Sequence, residues 1–130
     1  MSRKRILIFD DSAIVLDVTR FALEGAGYEV AVAQSLADLE HEQEHFRPDL
    51  LLIDIQMPEA MGDDVAMVLR AARGVKAPIL LFSGLAEAEL AQRAADAEVE
   101  GYICKWDGIE AVLDRVGAVL ATGGDQRAVP

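Results

Sequence analysis

No apolar run in this chain approaches the roughly 18 residues that a membrane-spanning helix requires. The longest candidates, such as Ile79 to Phe82, are strand-sized. Cysteine is nearly absent: the one thiol, Cys104, has no partner for an internal disulfide, in keeping with a reducing compartment. Basic residues are scarce, 12 Lys and Arg against 23 Asp and Glu, for a formal net charge of -11. Such a surface repels phosphate backbones, so direct nucleic-acid binding is not expected. There is no internal repeat and no linker to a second domain. The start, Met1-Ser2-Arg3-Lys4-Arg5, runs straight into a short apolar stretch, without the longer apolar region and small-residue cleavage site of a signal peptide. The expectation is a cytoplasmic protein with no membrane insertion.

What is present is enough for one packed core. The chain has 130 residues, 52% of them hydrophobic, and a mean hydropathy of +0.21, which fits a single globular domain and excludes a disordered one. Arg5 to Phe9 is almost continuously apolar and stops at Asp10-Asp11-Ser12. Continuous rather than alternating apolarity predicts a strand covered on both faces. Ser12 is placed to cap a helix to about Glu24, with Val15, Leu16, Thr19 and Leu23 inward, ended by Gly25-Ala26-Gly27. The same alternation continues: a strand over Tyr28 to Ala33 and a helix over Ser35 to Phe46, with Ser35 and Asp38 at capping-box-like spacing. A strand follows over Leu50 to Ile53, then a helix from Gly62 to about Ala72 and a strand over Ile79 to Phe82. The remainder reads as a helix over Glu87 to Ala97, a strand over Gly101 to Cys104, a helix over Gly108 to Leu120, and a frayed tail from Thr122. Five strands alternating with five helices predict an α/β protein with a doubly wound parallel sheet, in which ligands bind beyond the carboxyl ends of the strands.

Those ends carry Asp10-Asp11, Asp54, Ser83 and Lys105, far apart in sequence but converging on one edge of the sheet. Two carboxylates about 4 Å apart repel by about 4 kcal/mol at an effective dielectric near 20. A divalent cation relieves that repulsion, and an all-oxygen donor set favours magnesium, which keeps several waters and prefers a phosphoryl oxygen as a further ligand. Lys105 supplies positive charge and Ser83 a hydroxyl donor, both suited to a phosphoryl group. A carboxylate can itself be the nucleophile in phosphoryl transfer. Asp54, alone at the end of a central strand, is the better acceptor, and the Asp10-Asp11 pair the better metal holder.

From about Lys4 to Leu120 the sequence resembles the receiver domains of two-component response regulators. The matching segments are Ile6 to Ser12, Asp54-Ile55-Gln56-Met57-Pro58 with Gly62, Phe82-Ser83-Gly84, and Gly101 to Lys105. The resemblance implies a flavodoxin-like sheet in the order 2-1-3-4-5, with a receiver body over residues 1–121 and a short flexible tail over 122–130. It implies that Asp54 accepts a phosphoryl group from a sensor histidine kinase or a histidine phosphotransfer protein. Mg2+ would be held by Asp11, Asp54 and the Gln56 backbone carbonyl, with Asp10 acting directly or through water. Phosphorylation would draw in Ser83 and Lys105, and Tyr102 would move from exposed toward buried, remodelling the surface of the fourth helix, fifth strand and fifth helix where a downstream protein binds. Beyond self-catalysed acceptance and hydrolysis of the phosphoryl group, no enzyme activity is expected.

Three departures stand out. Trp106 follows Lys105 where the family usually has proline, often with a cis peptide bond; here a trans bond is expected, since a non-proline cis bond costs about 2.5–4 kcal/mol. Trp106 is read either as a partner anchor or as a partly buried packing residue. Leu85, two residues after Ser83, offers no group to orient a water, which points to slow hydrolysis; Gln56 is the second position of that kind. Glu59-Ala60-Met61 replaces the commoner loop residues without a consequence that follows from physics. His41 and His45 read as a solvated helix face because structural zinc wants four ligands, and Cys104 reads as a buried structural thiol. Rival readings are an aspartyl-nucleophile phosphatase of the haloacid dehalogenase type, disfavoured because the acids of the first strand are adjacent, a receiver-like docking module that ignores phosphate, and a flavodoxin-like flavin binder, disfavoured because no phosphate-cradling loop follows the first strand.

Overall fold

The computed structural model describes residues 3–56, 62–72 and 74–128. The loop residues Met57, Pro58, Glu59, Ala60 and Met61, on which part of the family resemblance rests, lie outside the described residues. The elements run β1 (Arg5–Phe9), α1 (Ala13–Gly25), β2 (Glu29–Ala33), α2 (Leu36–His45), β3 (Leu50–Ile53), α3 (Gly62–Ala72), β4 (Ile79–Ser83), α4 (Glu87–Asp96), β5 (Gly101–Cys104), a 3-10 turn (Lys105–Asp107) and α5 (Ile109–Ala128). All strands are parallel, in the order β2-β1-β3-β4-β5. This is the expected doubly wound architecture.

The apolar runs separate into two faces by strand periodicity, because successive side chains point to opposite sides of a sheet. Ile6, Ile8, Leu50, Leu52, Leu80, Phe82 and Ile103 pack under α1 and α5, against Leu16, Leu23, Val112 and Val116. Leu7, Phe9, Leu51, Ile53 and Ile79 pack under α2 and α3, against Leu39, Val65 and Leu69. Leu81, Ile55 and Cys104 pack against Leu90 and Ala94 of α4. Cys104 is thus a buried packing thiol.

Local signals set the helix ends. Ser12 Oγ accepts from the Val15 amide at 3.3 Å, and Ser35 Oγ from the Asp38 amide at 3.2 Å. The reciprocal bond to Asp38 Oδ2 comes from Gln34 N at 3.4 Å, one residue earlier than a true capping box requires. Of the glycines that end α1, only Gly27 takes a left-handed conformation, with φ 101°. α5 runs eight residues past the end at Leu120 that its amphipathic pattern predicts. Backbone hydrogen bonds propagate a formed helix beyond its packed face, even through Gly123-Gly124, and side-chain pattern cannot see that.

The amino-terminal rim of the sheet is tied by matched polar pairs. Arg5 N donates to Asp49 Oδ2 at 2.8 Å, Asp49 N to Arg5 O at 2.7 Å, and the Arg5 guanidinium to Phe46 O at 3.1 Å. Arg70 bonds both Val75 O and the Glu100 carboxylate, which in turn accepts from Ile79 N at 2.7 Å. At the carboxyl-terminal rim, among the described residues, the buried charges instead gather around Lys105. Leu52, fully buried in the central strand, tests how much the core supports: Leu52→Ala should cost about 2–5 kcal/mol in denaturant unfolding, and a loss under 1 kcal/mol would contradict this packing.

Candidate functional site

The parallel ladder runs one residue past the ends of β1 and β3. Asp10 N donates to Ala33 O at 3.1 Å and Asp54 N to Phe9 O at 2.9 Å. Sheet geometry therefore fixes both aspartates, side by side. Each carboxylate then closes a tight turn with its own loop: Asp10 Oδ1 accepts from Ser12 N at 2.9 Å and Asp54 Oδ1 from Gln56 N at 3.1 Å. The second oxygens face Lys105, whose Nζ lies 2.7 Å from Asp10 Oδ2 and 3.5 Å from Asp54 Oδ2. The ammonium also sits 5.4 Å from the Phe82 ring centroid.

Asp10 and Asp54 are almost completely buried, whereas Asp11 is exposed. Ligand atoms of all three lie within 4.8 Å of one another. One lysine against three carboxylates leaves an excess of negative charge, each pair repelling by about 3–4 kcal/mol at an effective dielectric near 20. Although Asp10 Oδ2 is close to Lys105, it is buried without a well-aligned hydrogen bond. An under-satisfied buried carboxylate oxygen beside two more carboxylates is what a hard divalent cation would complete, so the residues fit Mg2+. Burial pushes the Asp54 carboxyl above its ordinary pKa of 3.8; the Gln56 amide and Lys105 pull it back, and Asp10 adds to the rise.

Ser83, fully buried at the end of β4, donates from Oγ to Gln56 Oε1 and accepts from Leu85 N, both at 3.4 Å. These long bonds hold the hydroxyl loosely. Leu85 is half-buried and packs against the Ile55 and Leu81 cluster, and its carbonyl faces the Cys104 thiol at 3.7 Å. Tyr102 is half-buried on β5, with the Arg115 guanidinium 5.9 Å from its ring centroid. It borders an open hollow of about 470 Å3 with Glu87, Asp107, Asp114 and Arg115. Trp106 is 81% exposed, which overturns the reading of it as a partly buried packing residue; the 3-10 turn swings its ring outward, where Nε1 donates to Gly84 O at 2.8 Å. The described residues contain no cis peptide bond, so the link between Lys105 and Trp106 is trans as expected. His41 and His45 stack at 4.2 Å on an exposed face, and among the described residues only the aspartate group gathers three candidate metal ligands.

The sequence reading missed a second stripe on α1. Ile14, Val18 and Phe21 are large, apolar and exposed, Phe21 by 81%. With Lys105, Phe82 and Ile109 the first two line a groove of about 220 Å3 that shares Lys105 with the acidic site. Their spacing of four and then three residues was available as a signal, but it was hidden by the stronger inward stripe of the same helix.

The model of the response regulator receiver domain family matches residues 6–116, and the chain belongs to that family. Among curated relatives, the DNA-binding response regulator MtrA of Mycobacterium tuberculosis is 31% identical over 126 residues, 97% of this chain and 54% of its own length. The DNA-binding dual master transcriptional regulator RpaA of a Synechocystis strain is 31% identical over 117 residues, 89% of this chain and 48% of its own. The chain thus spans about half the length of these relatives. Among solved structures, a CheY-like receiver domain protein from Methanospirillum hungatei superposes with a TM-score of 0.85 at 28% identity, covering 96% of this chain and 99% of its own. Chemotaxis response regulator CheY4 of Vibrio cholerae shares the fold, with a TM-score of 0.82 at 24% identity over 91% of this chain and 99% of its own. Family membership sets aside the haloacid dehalogenase-like and flavin-binding readings. No helix among the described residues is long and apolar enough to cross a membrane.

The raised Asp54 pKa has a stability consequence. Between 3.8 and the raised value the folded protein holds a proton that the unfolded chain has lost, so stability falls as pH rises through that window and the full cost persists above it. With divalent cations chelated, Asp54→Asn should therefore melt above wild type at pH 7, with the gap closing as pH falls to 3.8 and below. A gap of the opposite sign, or one independent of pH, would contradict the buried-charge account.

Proposed function

We propose that this chain is a phosphorylation switch in which Asp54 accepts a phosphoryl group from the phosphohistidine of a sensor histidine kinase or histidine phosphotransfer protein, with Mg2+ required. The observation that carries the reading is the shared lysine: Lys105 Nζ faces both Asp10 and Asp54 across a nearly buried acidic pocket. In Asp54, Oδ1 already accepts the Gln56 amide, and Oδ2 is the oxygen left to attack phosphorus. As the new P–O bond forms, the P–N bond of the donor breaks and the imidazole leaves. Lys105 offsets charge on the phosphoryl oxygens, and Ser83 exchanges its long bond to Gln56 for a donated bond to one of them. Asp10, Asp11, Asp54 and the Gln56 backbone carbonyl would hold Mg2+, which when bound neutralises the carboxylates and the incoming phosphoryl charge.

Output follows from the same exchange of bonds. Drawing Ser83 and Lys105 toward Asp54 shifts the loops after β4 and β5, and Tyr102 turns inward beneath the surface of α4, β5 and α5, where a downstream protein reads the change. The chain is a substrate of its own reaction rather than a turnover enzyme, and the apolar Leu85 beside the pocket favours slow loss of the phosphoryl group. The exposed stripe of Ile14, Val18 and Phe21 supports α1 as the landing face of the donor, because a protein delivering phosphate to Asp54 must cover the groove that Lys105 shares with that helix. DNA binding belongs to the longer relatives; the net charge of -11 gives this segment no attraction for it.

Intact mass after incubation with a small phosphodonor and Mg2+ tests the acceptor. A phosphoryl-sized gain is expected that disappears with chelator and in Asp54→Asn, and that forms about a hundredfold more slowly in Lys105→Ala. No gain, together with no binding of beryllofluoride, would leave a docking module that works without phosphate. The donor face has its own check: Phe21→Ser should slow transfer from a phosphohistidine protein about tenfold, the cost of one interface anchor, while leaving the small-donor rate unchanged. Equal effects on both donors would remove α1 from the interface.

A further inference from the structure

The β4–β5 ladder ends at the Ser83–Cys104 pair, because the chain after Cys104 tightens into the 3-10 turn over Lys105–Asp107. Gly84 is the first residue of β4's exit loop beyond that pair. Its carbonyl accepts from a side chain: Trp106 Nε1 donates at 2.8 Å, and a Cβ built on Gly84 would stand 3.5 Å from that nitrogen, so the indole lies in contact across the glycine backbone. With 81% of Trp106 exposed, burial does little to hold the ring. The hydrogen bond does. It joins the residue after Ser83 to the residue after Lys105, and it is shorter than either 3.4 Å bond made by the Ser83 hydroxyl.

We propose that Trp106 is a positioning residue that latches the loop Ser83-Gly84-Leu85 in its unphosphorylated placement and must release Gly84 before Ser83 can reach the phosphoryl group. The proposal rests on Asp54 being the acceptor. The physical argument is one of differential bonding: a bond made in only one of two states favours that state by its full net strength. Ser83 and Lys105 approach the phosphoryl group from different strands, so their neighbours Gly84 and Trp106 change separation as they do. Leu85, whose carbonyl faces Cys104, follows the same loop. Trp106 thereby sets how readily the switch turns on, acting through the loop and not by touching phosphate.

The chain's single tryptophan gives one indole N–H resonance, which makes the latch directly observable. In nitrogen-15 labelled protein that proton should exchange slowly with water, and exchange should quicken when Mg2+ and beryllofluoride are added. Trp106→Phe keeps a ring and removes only the donor. It should bind beryllofluoride about three- to tenfold more tightly in the presence of Mg2+, the shift that one net hydrogen bond supports, and Trp106→Ala should do likewise. Affinity for Mg2+ alone should not change, since the carboxylates are untouched; general damage to the fold would weaken both. An unchanged or weakened beryllofluoride affinity in Trp106→Phe overturns the latch, as does an indole proton that stays protected in the beryllofluoride complex. Failure of wild type to bind beryllofluoride at all overturns the acceptor reading, and the latch with it.

Discussion

Two buried aspartates share one lysine, and most of the molecule is arranged around that imbalance. Asp10 and Asp54 sit side by side because the parallel ladders on both sides of β1 continue one residue beyond the apolar runs, through Asp10 N to Ala33 O of β2 and Asp54 N of the β3 end to Phe9 O. Each has one oxygen satisfied by its own loop and one left for Lys105. Burial of the Asp54 carboxyl, with a smaller push from Asp10, raises its pKa and makes its charged form costly. A bound cation would offset that cost by neutralising the buried carboxylates.

The cost is tolerable because the strands that carry it are held on both sides. Leu50 to Ile53 are fully buried, alternating between the α1/α5 face and the α2/α3 face. Fully burying each such side chain contributes roughly 1.5–3 kcal/mol, so the central strands outweigh a locally unfavourable rim. Functional residues at strand ends then inherit rigid backbones while their loops stay adjustable. Ser83 is the clearest case: its backbone belongs to β4, and its hydroxyl is held by two long bonds.

Much of this was legible in the sequence, and for identifiable reasons. The runs Ile6 to Phe9, Leu50 to Ile53 and Ile79 to Phe82 are apolar at every position, a pattern that a strand covered on both faces produces. The acids and serine that stop those runs, with Lys105 after β5, are the residues that the structure brings to one rim, and Ser12 and Ser35 mark the helix starts. What escaped depends on geometry that composition does not encode. A 3-10 turn after Cys104 decides that Trp106 faces solvent, and a tryptophan on its own reads equally well as core. On α1, Leu16 and Leu23 announce the buried face so strongly that Ile14, Val18 and Phe21 pass as its margin. The end of α5 depends on backbone bonding past Leu120, where the side-chain pattern has already run out.

The two rims of the sheet differ in a way that divides labour along the strand axis. At the amino-terminal rim, Arg5 with Asp49 and Arg70 with Glu100 zip neighbouring segments into closed polar circuits. Among the described residues, the carboxyl-terminal rim gathers three carboxylates around one lysine and ties its loops by separate bonds, Ser83 to Gln56 and Trp106 to Gly84. The molecule is thus a comb with a stiff spine and movable teeth: rearrangement at the tips breaks bonds local to them, such as Trp106 to Gly84, and leaves the spine in place. A surface tether, fluorophore or fused domain attached near the Arg5 or Glu100 end would travel with the rigid part and leave the tips at liberty.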